Sequence, residues 1–201
     1  MKKQKLTAII AITFISIFSA CKTTQKISGP ANLTILIVDE NDSPVRDFEI
    51  NLLQNKKNDE KTVSEMTNNS GLCVFYDLLA DEYQLWGNKS GYTQLPAQSL
   101  MFNNVSELYC FKVYSAPSVL DQVEHLYENA QHQKALELLD LLCCNKNQPL
   151  QNTVLFYKAY GYASLGQKEK AGFQLQKLKE SDNPAFETSR YCEAIEKMLS
   201  D

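Results

Sequence analysis

The 201-residue sequence lacks the residue patterns on which most enzymatic and metal-dependent functions rest. It has no CxxC pair, which argues against a zinc site. It also has no glycine-rich phosphate loop, no Ser-His-Asp order and no Cys-His pairing. Its two histidines, His125 and His132, are seven residues apart without carboxylates at ligand spacing, so we expect no metal there. The sequence therefore predicts a protein that is not an enzyme and that uses no cofactor.

Clusters of basic residues are missing as well. The formal net charge is −4, and no run of lysine or arginine forms a stripe, so the chain has no electrostatic footprint for nucleic acid. Asp39, Glu40, Asp42 and Asp47 crowd one turn, but no glycine-centred loop supports a calcium site, and we interpret them as exposed turn residues. The hydrophobic fraction of 44% is normal for a folded chain and argues against disorder.

The N-terminal apolar run is short for a membrane span. It extends from Leu6 to Phe18 after three lysines, whereas a span needs roughly 20 apolar residues. A positive start, a short apolar middle and a small-residue exit are typical of a secretory signal. Ser19 and Ala20 then precede Cys21, and this arrangement resembles the lipobox of bacterial lipoproteins.

The lipobox resemblance implies that residues 1–20 are a signal that is removed, that Cys21 is acylated, and that residues 21–31 form a lipidated tether. Loss of the three lysines takes the net charge from −4 to −7. Two acyl chains hold a protein firmly at a membrane, so we expect a lipid-anchored protein of the bacterial cell envelope. Lys22 stands where an inner-membrane retention signal has aspartate, which favours the outer membrane. The alternative is a plain signal with an incidental cysteine.

Five cysteines remain after Cys21, an odd number. An exported protein can form disulfides. Cys73 and Cys110 are the pair that we predict, because both fall in predicted strands. The alternative is that these residues are buried free thiols.

Residues 32–114 alternate short β-rich runs with turn signals. In one run, Phe48, Ile50 and Leu52 lie on one face, with Glu49 and Asn51 on the other. Turn signals between short strands predict a small antiparallel β-sandwich. The predicted strands are NLTILIV, FEINLL, CVFYDL, YQLWGN and ELYCFKVY.

The order of these runs resembles the carboxypeptidase regulatory-like domain, a transthyretin-like sandwich. The residues that carry the resemblance are Val38-Asp39, Pro44-Val45, Ser70-Gly71, Phe75, Leu78-Leu79, Tyr83 and Gly91-Tyr92. Asp81 stands where glycine is usual, and aspartate tolerates a left-handed turn better than most residues. The resemblance implies a packing and binding scaffold without catalysis.

Residues 116–201 have helical periodicity and an internal repeat. A shift of 36 residues places Val119 on Leu155, Val123 on Ala159, Ala135 on Ala171 and Leu139 on Leu175. The second unit is similar to a tetratricopeptide repeat, with small residues at the helix contacts and a turn glycine. The residues that carry this similarity are Ala159, Tyr162, Gly166, Ala171 and Pro184. A last helix, from Phe186 to Leu199, is predicted to cap the stack.

In tetratricopeptide arrays, the first helix of each pair lines a concave binding surface. The resemblance places these residues there: Leu120, Glu124, Tyr127, Glu128, Phe156 and Tyr160. Because aromatic residues dominate interface energetics, we predict partner binding at Glu124, Tyr127, Phe156 and Tyr160. The alternative is that the capping helix or the sandwich covers these side chains.

The sequence thus predicts a β-then-α multidomain chain, with a transthyretin-like sandwich followed by a tetratricopeptide-like helical hairpin repeat and a capping helix. We expect a membrane-anchored lipoprotein that acts as a non-enzymatic adaptor for an envelope protein or peptide. The alternative function is a carbohydrate-binding surface lipoprotein in which Trp86 stacks on a glycan. Against that stands packing of Trp86 on the helical half. A structural spacer without a ligand is the third option.

Overall fold

The computed structural model describes residues 31–54, 61–103, 106–181 and 188–200. The predicted signal, Cys21 and all of the predicted tether except Ala31 lie outside the described residues.

The strands are β1 (Ala31–Val38), β2 (Glu49–Gln54), β3 (Lys61–Met66), β4 (Leu72–Leu78), β5 (Asp81–Asn88), β6 (Leu95–Phe102) and β7 (Ser106–Lys112). The helices are α1 (Ala116–Glu128), α2 (His132–Asp140), α3 (Gln148–Ser164), α4 (Lys168–Glu180) and α5 (Thr188–Ser200). The predicted change from strands to helices is therefore confirmed. Among the described residues, none of the helices combines the length and the apolar character needed to cross a membrane.

The strands form two sheets, one with the order β4-β1-β7 and the other with the order β3-β2-β5-β6. The second sheet is antiparallel throughout. In the first sheet, β1 pairs antiparallel with β4 but parallel with β7. The prediction of a wholly antiparallel sandwich is therefore wrong for this pair. A parallel pair needs a long crossover connection, and here the chain from β2 to β6, which includes the whole second sheet and β4, provides it.

The predicted alternation along β2 sets the core of the sandwich. Phe48 and Ile50 are fully buried and Leu52 is 2% exposed, so the apolar face points between the sheets. Asn51 points the other way but is also buried. Its Oδ1 accepts a 2.6 Å hydrogen bond from the Ser64 hydroxyl of β3, which satisfies one of its polar atoms and makes this burial tolerable.

The two strands that the sequence did not predict, β3 and β6, are the two edges of the four-stranded sheet. The described side chains of β3 are exposed on both faces, so no alternation marks the strand. Strand β6 has a bulge at Pro96. Between the pairs Leu85–Gln98 and Gly87–Leu95, β6 has one more residue than β5. Proline is confined to edges and bulges of sheets because it cannot donate to the ladder.

The helical half repeats at the predicted offset of 36 residues. Helices α2 and α4 begin at His132 and Lys168. Two residues before each helix, the backbone has a left-handed conformation, at Ala130 (φ 55°) and at Gly166 (φ 69°). These two residues are also 36 positions apart. Helix α5 packs on α3 and α4, at the place where the sequence predicts a capping helix.

A short segment of the sandwich, Gly91–Gln94, joins the two halves. It lies between residues 114–116 and residues 141–143. Thr93 N–H donates to the Tyr114 carbonyl at 2.8 Å, and Gln94 N–H donates to the Leu141 carbonyl at 2.8 Å. Because these are backbone bonds on both sides of one segment, they fix the sandwich to the C-terminal end of α2.

A second contact joins the halves at the start of α1. The Ser115 backbone N–H and hydroxyl both donate to the Glu40 carboxylate. Partial burial raises the pKa of Glu40, but these hydrogen bonds outweigh that effect and the net pKa is lowered. Glu40 is therefore ionised at neutral pH and holds the first turn of α1 against the β1–β2 turn.

Candidate binding groove

A cavity of about 320 Å³ lies between α1 and α3. Its walls are four aromatic rings and two carboxylates. The lining residues are Glu124, Tyr127 and Glu128 from α1 and Phe156, Tyr157 and Tyr160 from α3. We call this set the aromatic groove. All four residues predicted to bind a partner lie in it, and so does Glu128, which the resemblance also placed on this surface. Leu120 is not among the lining residues, and the structure adds Tyr157.

Helical periodicity explains why α1 contributes to the groove. Val119 and Val123 are fully buried and Tyr127 is 9% exposed, so residues four apart form the inward face. Glu124 and Glu128 follow one residue later at each turn and are exposed. They therefore stand at the rim while Tyr127 forms the floor.

Tyr127 is the best-anchored ring of the groove. Its hydroxyl donates a 2.7 Å hydrogen bond to the Tyr157 carbonyl of α3. Its ring stacks on Tyr157 with centroids 6.1 Å apart and meets Tyr160 edge-on at 5.0 Å. Burial raises the pKa of the Tyr127 hydroxyl, and the neighbouring tyrosines raise it further. The hydroxyl therefore stays protonated and remains a donor.

Gly161 of α3 makes room for this hydroxyl. A Cβ at that position would lie 2.5 Å from Tyr127 Oη and 3.0 Å from Leu136 Cδ2. The sequence pattern marks Gly166 as a turn residue but contains no signal for Gly161, because the close approach comes from α1 and α2.

The rim carboxylate of Glu124 is positioned by α3. Its Oε1 accepts a short hydrogen bond from the Tyr157 hydroxyl. Glu128 Oε2 lies 3.8 Å from Nδ1 of His125, and both of these side chains are more than three-quarters exposed. One carboxylate is thus held against the aromatic wall, and the other faces solvent beside it.

The alternative prediction is that the capping helix or the sandwich covers these rings, and the rings differ in how deeply they are buried. Tyr127 is buried, whereas Phe156 and Tyr160 are half-buried. Phe156 and Tyr160 pack on one side against the cluster that contains Cys192 and Ile195 of α5, as expected of a capping helix. The groove is therefore an open cavity with a packed floor.

The comparisons with known proteins find no matching family model and no matching curated protein. Among solved structures, the chain is similar to the Bacillus anthracis TIE protein, with a TM-score of 0.37, 13% identity and coverage of 44% of this chain and 17% of that one. For the group B streptococcus pilus 2b backbone protein, the TM-score is 0.36 and the identity 16%, over 43% of this chain and 41% of that one. For the full-length major pilin SpaD from Corynebacterium diphtheriae, the TM-score is 0.37 and the identity 14%, over 43% of this chain and 30% of that one. The chain thus spans less than half the length of each, and at these TM-scores and identities the similarities assign neither a family nor an activity.

The predicted disulfide between Cys73 and Cys110 is not formed, and both thiols are free. In the strand register, Cys73 of β4 lies opposite Ile35 of β1 and is buried. Cys110 of β7 lies opposite Leu36 of β1 and is exposed. They lie on strands either side of β1 and on opposite faces of the sheet. Two strand spacings, about 9.6 Å, exceed the roughly 7 Å limit for a disulfide. Burial, with the Glu65 carboxylate nearby, raises the pKa of Cys73 to about 12, so this thiol is also unreactive.

Trp86, the predicted glycan-stacking residue, is half-buried on β5 and lies directly across from Asn51 of β2. Tyr83 and Leu85 of the same strand are buried in the core, so Trp86 points to the outer face as predicted. Its ring is partly covered there. Glycan stacking by this side chain stays a prediction.

The acidic turn is occupied by contacts within the protein. Asp39 accepts hydrogen bonds from the backbone N–H groups of Asn41 and Ser43, and Asp42 pairs with Lys112 at 2.7 Å. Within the described part of the chain, no group of three or more histidine, cysteine or acidic side chains could hold a metal ion. His132 is half-buried and lies beside the Tyr127 and Tyr160 rings.

A second cavity of about 320 Å³ opens in the sandwich beside β3 and β4. No sequence pattern indicates this cavity, because strands of both sheets line it. Its lining residues are Leu52, Gln54, Val63, Tyr76, Asp77, Leu78, Leu79 and Tyr83. Tyr76 and Leu79 are 67% and 49% exposed, so an aromatic and an aliphatic side chain of this cavity reach the protein surface.

Proposed function

We propose that this protein is a non-enzymatic adaptor that binds a polypeptide partner in the aromatic groove. The observation that supports the proposal is the convergence of four aromatic rings and two carboxylates from α1 and α3 around one open cavity. Half-buried aromatic side chains with polar neighbours at the rim are the composition of interface hot spots.

We further propose that the protein works at the bacterial cell envelope, anchored through acylated Cys21, and that the outer membrane carries it. The lipobox-like residues Ser19-Ala20-Cys21 support this part. The sandwich is then a spacer and a platform. Its backbone bonds to the C-terminal end of α2 through Gly91–Gln94 give the groove a fixed orientation relative to the sandwich.

The finer fold assignments are also proposals. For a tetratricopeptide-like unit, the supporting features are the 36-residue offset and the full burial of Ala135, Ala159 and Ala171 where helices touch. For a carboxypeptidase regulatory-like sandwich, they are the left-handed glycines, Gly71 and Gly91, at the predicted turns.

The anchor is tested by acyl labelling in cells. We expect that wild-type protein incorporates a palmitate analogue and that Cys21→Ser abolishes the labelling, because the thiol is the acceptor. The matched control is Cys110→Ser, which removes an exposed thiol of β7 and should leave labelling unchanged. Persistent labelling of the Cys21→Ser variant would refute the anchor.

The groove is tested by photo-crosslinking in the same cells. A photoreactive amino acid at the position of Glu128, on the rim, should give discrete crosslinked products. The same group at Glu137, which is exposed on α2 outside the groove, should not give them. Adding Phe156→Ala should reduce the yield several-fold, since it removes one wall of the cavity.

Phe173→Ala is the control for that substitution. Phe173 lies on α4, is 55% exposed and does not line the groove, so its removal should leave the yield unchanged. Thermal melting of both variants checks that the fold is retained. Identical products from positions 128 and 137 would rule out the groove as the binding surface.

A further inference from the structure

We propose that the aromatic groove receives the guanidinium group of an arginine side chain on the partner polypeptide. This inference rests on the proposed function, because it names the chemistry that the same groove selects. It follows from the charge at the rim, the arrangement of the rings, and the size of the cavity.

The charge at the groove is negative. Glu124 and Glu128 are one turn apart on α1 and the other four lining side chains are aromatic. The whole chain has a formal net charge of −4, so the long-range field also favours a cationic partner. A cation in the groove would meet two carboxylates at short range, whereas an anion would meet repulsion from both.

The rings are suited to a cation as well. The face of an aromatic ring carries negative potential, and a guanidinium or ammonium group within about 6 Å of its centroid is attracted. Tyr157 is placed to act with Glu124, since its hydroxyl donates to that carboxylate. A cation on the Tyr157 side of the groove would therefore lie near a ring and a carboxylate that are already oriented.

Guanidinium fits this arrangement better than ammonium. It is planar, stacks flat on a ring, donates several hydrogen bonds in a fixed fork, and loses its hydration more easily than the compact ammonium group does. The carboxylates of Glu124 and Glu128 offer acceptors to that fork, and the aromatic rings of the groove offer a face for its plane. A lysine would satisfy the charge but not the stacking.

The cavity size sets the source of the cation. At about 320 Å³ it is at the lower end of the roughly 300–1,000 Å³ usual for ligand pockets. It therefore accommodates one long side chain, and a folded surface would not enter it. The exposed rim glutamates leave the mouth open, so the main chain that carries the arginine can lie across α1 and α3.

The test uses the full chain, purified in detergent and labelled in its tyrosine rings for NMR. It is titrated with acetyl-Gly-Gly-Arg-Gly-Gly-amide and with the citrulline, lysine and leucine counterparts. Citrulline keeps the shape of arginine without its charge. We expect saturable shifts of the Tyr157 and Tyr160 rings with the arginine peptide, about tenfold weaker binding of the citrulline peptide, and lysine between the two.

Charge variants identify the acceptors. Glu124→Gln/Glu128→Gln should reduce arginine binding to the level of the citrulline peptide. Glu169→Gln/Glu193→Gln removes the same net charge from exposed positions outside the groove and should leave binding unchanged. Equal binding of the arginine and citrulline peptides would overturn the proposal. So would equal losses in the two double variants, because the effect would then come from net charge.

The outcome also separates this inference from the adaptor function. Preference for the leucine peptide, with shifts in the same rings, would contradict arginine recognition and keep the groove as a peptide site. Absence of binding by all four peptides, together with absence of crosslinking at position 128, would count against both proposals.

Discussion

Replacement of Tyr127 by alanine is expected to lower the free energy of unfolding of the helical half by about 3–5 kcal/mol, the range for truncation of a buried aromatic side chain. The ring is 9% exposed and packs against Tyr157, Tyr160 and His132. It fills the space between α1 and α3, so its removal leaves a cavity in the floor of the groove. Denaturant unfolding followed by far-ultraviolet circular dichroism measures the loss.

Two further variants divide this effect into its parts. Tyr127→Phe keeps the ring and removes only the 2.7 Å bond to the Tyr157 carbonyl, so it should cost about 1 kcal/mol. Tyr76→Ala, at a tyrosine that is 67% exposed, should change stability by less than about 0.5 kcal/mol. If Tyr127→Ala were as mild as Tyr76→Ala, the ring would not be a packed floor, and the groove described above would not be preformed.

The helical half was the more predictable part of the chain. The period of a helix is set by local geometry, so Val119 and Val123 could be placed on one face from the sequence alone. The tetratricopeptide resemblance then indicated Tyr127 of α1 and Phe156 and Tyr160 of α3 as lining residues. The residue that this reasoning missed, Tyr157, is adjacent to Phe156 and so falls outside a spacing of four. Its part in the groove depends on how α3 is rotated against α1, and the local sequence does not encode that rotation.

The sandwich was less predictable because its strands pair over long distances. Alternation marks a strand only where one face is buried and the other is not. Both faces of β3 are exposed, and Pro96 interrupts β6. Neither edge strand therefore has the alternating pattern from which a strand is predicted. The disulfide prediction failed for a related reason. Alternation places Cys73 in a strand but does not say which strand lies beside it, and β1 separates β4 from β7.

The junction between the halves could not have been predicted. Thr93 contacts Tyr114 and also lies opposite Leu142, and no periodic pattern links these positions. Its consequence is mechanical. The backbone bonds hold the groove in a fixed orientation relative to the sandwich, which the adaptor role proposed above requires.

Replacement of Gly87 by alanine is expected to destabilise the sandwich by about 3 kcal/mol, at the upper end of the usual cost of overpacking. Gly87 lies opposite Ile50 within the β2–β5 ladder. An added Cβ would lie 2.5 Å from the Glu49 carbonyl oxygen and 2.8 Å from Phe48 Cε1. The oxygen belongs to the backbone of a hydrogen-bonded strand, so it cannot move aside without opening the ladder.

Two variants test whether the backbone contact dominates. Ile50→Val removes the Ile50 Cδ1 atom that an added Cβ would meet at 2.9 Å, yet the double variant Gly87→Ala/Ile50→Val should remain as unstable as Gly87→Ala, because the carbonyl contact persists. Gly172→Ala is the opposite case. Nothing lies within 4 Å of a Cβ there, and the residue is inside α4, so the same substitution should stabilise the chain by about 0.5–1 kcal/mol. Rescue of Gly87→Ala by Ile50→Val would show that side-chain crowding, and not the approach of the two backbones, requires glycine at this point of the sheet.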